Sequence, residues 1–114
     1  MSATARKYPG AQRDYAPVFA ALGDPTRLSL VTRLGGGPPC SITQLTEDTQ
    51  LTRQAITKHL RVLENVGIVY STRSGRESHF ALNPEPIDDI KAYLEQVSQQ
   101  WDQALTRLKA FVED

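Results

Sequence analysis

Between Ser41 and Gly67 the stretch SITQLTEDTQLTRQAITKHLRVLENVG leaves room for two short helices and one tight turn, and for little else. Ser41 is a good helix cap, and Ile42 and Leu45 follow at the i, i+3 spacing of a buried stripe, which predicts a helix to about Asp48. The turn is TQLT at 49–52. Thr52 caps a second helix that continues to Val66 and stops at Gly67, because glycine occupies the left-handed position after a helix without a Cβ clash. Two helices joined this way form a helix-turn-helix.

The second helix is two-faced. At about 100° per residue from Arg53, the side chains of Thr57, Arg61, Gln54 and Lys58 fall within about 140° of one another. Ala55, Ile56, His59, Leu60 and Leu63 occupy the opposite side and read as core. A polar helix face is often merely solvated. This one has few acids to balance it, and Arg, Gln, Thr and Lys are the residue types that bond phosphates and base edges.

After Gly67 the pattern turns to strands. IVYSTR and ESHFAL are rich in β-branched and aromatic residues and are joined across Ser74 and Gly75, a hairpin signal that sets Arg73 and Arg76 on either side of the tip. A helix fits the major groove, and a basic hairpin beside it can reach the flanking backbone. Upstream, residues 1–13 lack an apolar period and read as a flexible arm. A short helix is expected over Asp14 to Leu22. Asp24 and Pro25 then start another, to about Leu34, with Leu28, Val31 and Leu34 inward, and GGGPP at 35–39 ends it.

Pro84 and Pro86 separate the hairpin from a final helix of about 25 residues. In it Ile87, Ile90, Leu94, Val97, Trp101, Ala104, Leu108 and Phe111 recur in alternating steps of three and four, the seam of close helix pairing, with Leu105 beside them. One small domain cannot easily cover so long a stripe, so the seam predicts a homodimer. A two-fold dimer would set its recognition helices about 34–36 Å apart and call for an inverted-repeat site. Trp101 is the expected dimer-core anchor, with a ligand pocket against its ring as the alternative.

Net charge is zero, yet it is segregated. Residues 53–83 hold Arg53, Lys58, Arg61, Arg73 and Arg76 against Glu64 and Glu77, whereas residues 84–114 hold three cations against seven acids. That asymmetry suits a middle facing a polyanion and an acidic end kept away from it. Cys40 is the only cysteine, so no disulfide forms within the chain, and neither a signal peptide nor a membrane span is legible; a cytoplasmic protein is expected. Two histidines and one cysteine without convergent acids support neither a metal site nor a nucleophile, so no enzyme and no cofactor are expected. Cys40 reads as an inert thiol by default, with a redox role only if exposed, and His79 as a surface residue.

From about Val18 to Leu82 the chain resembles the ArsR/SmtB family of bacterial repressors. The matching pieces are LGDPTRLSLVTRL at 22–34, SITQLTEDTQLTRQAITKHLRVLENVGIV at 41–69 and SGRESHFAL at 74–82. The resemblance implies a dimeric winged-helix repressor whose first and last helices form the interface, here with Ile90, Leu94, Val97, Trp101, Leu105, Leu108 and Phe111. It implies DNA contacts by Thr52, Arg53, Gln54, Thr57, Lys58, His59 and Arg61, and by Arg73 and Arg76 of the wing. His59 stays open between a phosphate contact and an edge hydrogen bond, since its angle puts it on the packed side. Where many members carry metal-binding cysteines this chain has Ser41 and Thr43, and its last helix holds no histidine, so it looks like a branch without the metal-sensing motifs.

The expected fold is therefore mainly α with a small β-hairpin wing: an arm at 1–13, a winged helix-turn-helix core at 14–83 and a dimerisation helix at 84–114. The expected function is sequence-specific, double-stranded DNA binding by a homodimeric transcriptional repressor, its effector unspecified. The rival is a winged-helix module that docks the same face onto an acidic protein.

Overall fold

Each helix of the computed structural model begins where a side-chain cap or a proline suits its first turn. The structure describes residues 15–113, of which 15–87 belong to one compact unit and 88–113 to another. The anticipated arm at 1–13, and Asp14, lie outside the described residues.

Helix α1, Ala16–Leu22, has a proline in its first turn and buries Ala21. Helix α2, Pro25–Gly35, is capped by Asp24, whose carboxylate accepts from the Arg27 N–H at 3.0 Å. Helix α3, Ile42–Thr49, opens on a reciprocal capping box. The Gln44 N–H donates to Ser41 Oγ at 3.1 Å, and the Ser41 N–H to Gln44 Oε1 at 2.8 Å. Gln50 (φ 64°) turns the chain left-handed after α3.

Helix α4, Arg53–Asn65, is the second helix of the motif, and Thr52 Oγ1 accepts from the Ala55 N–H at 3.1 Å. At its far end the Gly67 N–H bonds Glu64 O at 2.9 Å and the Ile68 N–H bonds Leu63 O at 3.0 Å. That pair of bonds is a Schellman ending, and it requires the positive φ (83°) that Gly67 supplies.

Leu30, Leu34, Leu45, Ile56, Leu60, Leu63, Ile68 and Phe80 pack into one core with Ala21, Cys40 and Val69. Ile56, Leu60 and Leu63 are the inward side of α4, as its periodicity predicts. Leu28 is not inward. It is 50% exposed, and Leu30 is fully buried in its stead. Positions 30 and 34 are an i, i+4 pair, whereas Leu28 lies about 160° around the helix from Leu30.

The wing is larger than a hairpin. β1, Cys40–Ser41, pairs antiparallel with β3, Glu77–Leu82, which pairs in turn with β2, Val69–Ser74, giving the order β1-β3-β2. Cys40 stands opposite Phe80, and Ser74 opposite Glu77. The tip is therefore Gly75–Arg76, one residue beyond the expected Ser74–Gly75, and Gly75 takes the positive φ (64°).

Helix α5, Pro84–Glu113, begins at the two prolines that were expected to precede it. In a first turn the missing N–H costs nothing, so proline starts a helix there where further along it would break one. Residues 84–87 belong to the first unit, where Ile87 packs against the core. In the second unit Ile90 is buried and Val97 half-buried, while Leu94, Trp101, Leu105, Leu108, Phe111 and Val112 are exposed. No helix among the described residues is long and apolar enough to cross a membrane.

Candidate nucleic-acid interface

Arg53, Gln54, Thr57, Lys58 and Arg61 line a single shallow concavity of about 490 Å³ on the outward face of α4. Arg53, Gln54, Lys58 and Arg61 are exposed and Thr57 is half-buried, while the buried leucines behind them fix the helix to the core. The Thr57 hydroxyl donates to Arg53 O at 2.8 Å, which leaves its oxygen free to accept. Thr52 Oγ1 has accepted its capping bond and keeps its O–H to donate, a ready phosphate ligand at the mouth of the helix.

Arg53 reaches two surfaces. Its guanidinium Nη1 donates to Thr43 Oγ1 on α3 at 2.8 Å. It also borders a second concavity, of about 240 Å³, shared with Thr43 and with Arg76 and Glu77 of the wing. Arg73 is exposed on β2 and lines neither concavity. Among the described residues, Arg53, Lys58, Arg61, Arg73 and Arg76 take part in no ion pair. Exposed, unpaired cations attract a polyanion and carry little desolvation penalty in meeting it.

His59 sits at the edge of this face, half-buried and turned toward α2. Its Nδ1 lies 3.4 Å from an Arg27 guanidinium nitrogen and 4.0 Å from Asp24 Oδ2, and Arg27 Nε donates to Ala21 O at 2.6 Å. The cluster ties α4 to α1 and α2. The Arg27 backbone N–H, helped by the Arg27 and His59 charges and the Thr26 N–H against some desolvation, holds the Asp24 carboxyl below the usual carboxylate range. On the far side of α2, Asp48 of α3 accepts from Arg33 Nε at 2.6 Å and keeps that guanidinium more firmly protonated. His79 Nε2 lies 3.2 Å from Glu77 Oε1.

The outward face of α4 could be read from angles alone, but the Thr43 bond to Arg53 and the Arg27 contact with His59 join residues far apart in sequence, and no local pattern signals them. Cys40 is 2% exposed, its thiol directed at Pro38 O at 3.5 Å, so it is not the exposed thiol that a redox role would need. Among the described residues no group of three or more His, Cys, Asp or Glu side chains could hold a metal ion.

A helix-turn-helix domain family matches residues 22–71. An HTH-type transcriptional regulator of Bacillus subtilis, YuzN, is 38% identical over 85 residues, covering 68% of this chain and 92% of that protein. The transcriptional repressor SdpR of the same organism is 28% identical over 72 residues, covering 63% and 79%. Among solved structures, an ArsR-like transcriptional regulator from Rhodococcus sp. RHA1 is 35% identical, with a TM-score of 0.74 over 87% of this chain and 90% of its own.

Proposed function

Because the chain belongs to the ArsR family of winged helix-turn-helix transcriptional regulators, which act by binding DNA, we propose that it is a cytoplasmic homodimeric repressor of an inverted-repeat operator. The carrying observation is the single outward surface of α4, where Arg53, Gln54, Thr57, Lys58 and Arg61 converge without an acidic partner. In this reading α4 enters the major groove, Thr52 meets the backbone at its start, and Arg73 and Arg76 hold the flanking phosphates. His59 serves as a strut that sets the helix against α2 and touches no DNA.

The homodimer reading rests on α5, where Leu94, Trp101, Leu105, Leu108 and Phe111 stand exposed along the apolar seam. Solvent-exposed apolar stripes of this length mark association surfaces. Ile90 is already buried within a single chain, so the interface begins at Leu94.

Selection of bound duplexes from a random pool tests the proposal. The expected product is an inverted repeat with half-site centres one helical turn, about 10 base pairs, apart or a multiple of that. Recovery of sequences without a shared half-site would defeat it and favour docking of this face on an acidic protein.

A further inference from the structure

The five cations on the proposed DNA face do not stand alike, and the difference divides their labour. Arg61 and Lys58 project from the middle of α4 and have no protein hydrogen bond among the described residues. Arg53 is held. Its Nη1 donates to Thr43 Oγ1 of α3 at 2.8 Å, so its guanidinium borders both the outward concavity of α4 and the hollow beside α3. Arg76, at the tip of the wing, borders the same 240 Å³ concavity from the other side.

We infer that Arg53 and Arg76 together grip one backbone phosphodiester in the concavity between α3 and the wing, so that they set register and carry no sequence information. The inference rests on the DNA-binding reading above and deepens it. Two guanidinium groups bordering one small hollow repel each other unless an anion lies between them. The carboxylate on its rim, Glu77, lies 3.2 Å from His79 and forms no ion pair with either arginine among the described residues. The hollow has the room of about eight waters, enough for a phosphodiester group. A guanidinium carries five N–H donors; with one spent on Thr43, Arg53 keeps the remainder for phosphate oxygens. Base reading then falls to Gln54, Lys58 and Arg61, with Thr43 positioning Arg53 and touching no DNA.

Fluorescence anisotropy with the selected duplex and a scrambled duplex of equal length, across a salt series, tests this on the full chain. Arg53→Ala and Arg76→Ala should each weaken both duplexes by the same factor, about fivefold at 0.15 M salt, and shallow the salt slope by about 0.9. Their double variant should lose less than the product of the two, because one phosphate is shared. Thr43→Val should weaken both duplexes alike and leave the slope unchanged. Arg53→Lys, which keeps the charge, should restore the slope, and it carries the test where Arg53→Ala fails to fold by circular dichroism. A tenfold greater loss on the selected duplex for Arg53→Ala, Arg53→Lys or Thr43→Val would overturn the inference, as would independent effects of Arg53→Ala and Arg76→Ala. A wild-type chain that prefers neither duplex would defeat the operator reading alone, since equal loss with a shallower slope would still identify the clamp.

Discussion

If the proposed homodimer forms along α5, replacing Trp101 by alanine should convert it from dimer to monomer at micromolar concentration without unfolding it. The indole is 67% exposed in the single chain, in the middle of an apolar seam. A buried aromatic side chain covers about 150–250 Å², so roughly 150 Å² of Trp101 remains for a partner to cover. At about 25 cal/mol per Å² that is worth about 4 kcal/mol per protomer, and a two-fold interface counts it twice. This is an upper figure, because the ring need not be fully enclosed. Even a loss of about 3 kcal/mol per dimer raises the dissociation constant more than a hundredfold. Sedimentation equilibrium of the wild type, Trp101→Ala and Gln99→Ala, with circular dichroism as a folding check, reads the effect. Gln99 lies off the seam on the same helix and should leave the dimer intact. The reasoning is refuted if Trp101→Ala keeps the wild-type dissociation constant, or if Gln99→Ala weakens the dimer as much.

Three further substitutions, with Gly36→Ala as a control, probe the core, the helix ending and acid stability. Leu60→Ala empties a site 1% exposed behind the outward surface of α4 and should cost about 2–5 kcal/mol in urea unfolding. Gly67→Ala, at φ 83°, should cost about 1–2 kcal/mol, whereas Gly36→Ala, with φ −94°, should cost far less by the same measurement. Asp24 has its folded carboxyl pKa lowered, chiefly by the Arg27 backbone N–H, so its contribution is present above the ordinary carboxylate pKa of about 4 and is lost as pH falls through the lower folded value. Asp24→Asn should therefore be less stable than wild type at pH 7, with the gap closing below about pH 4 in urea midpoints; parallel curves from pH 2 to 7 would contradict this.

The parts of the fold legible in the sequence are those encoded by neighbours in the chain. Ser41, Thr52 and Gly67 mark helix ends through bonds that span a few residues, and each lies where its pattern places it. The α4 face follows from angle alone. The strand Cys40–Ser41 was not legible, because two residues carry no alternation and their pairing with Phe80 and His79 is a long-range event. Leu28 misleads because α2 offers two overlapping apolar stripes, and only the packed core selects Leu30 and Leu34. Pro84 and Pro86 read as a break because proline both ends and begins helices, and the choice lies in which backbone N–H groups need partners. At the site, angles place Arg53 on the outward surface of α4, but the Thr43 hydroxyl that also holds it becomes a neighbour only once α3 and α4 pack.

The central claim, that α4 reads a specific DNA sequence, meets its most direct test in one anisotropy titration. The chain is titrated against its own upstream DNA and against a random duplex of equal length at the same salt. The account predicts binding at least about a thousandfold tighter to the upstream DNA. Equal affinity for the two duplexes would contradict it.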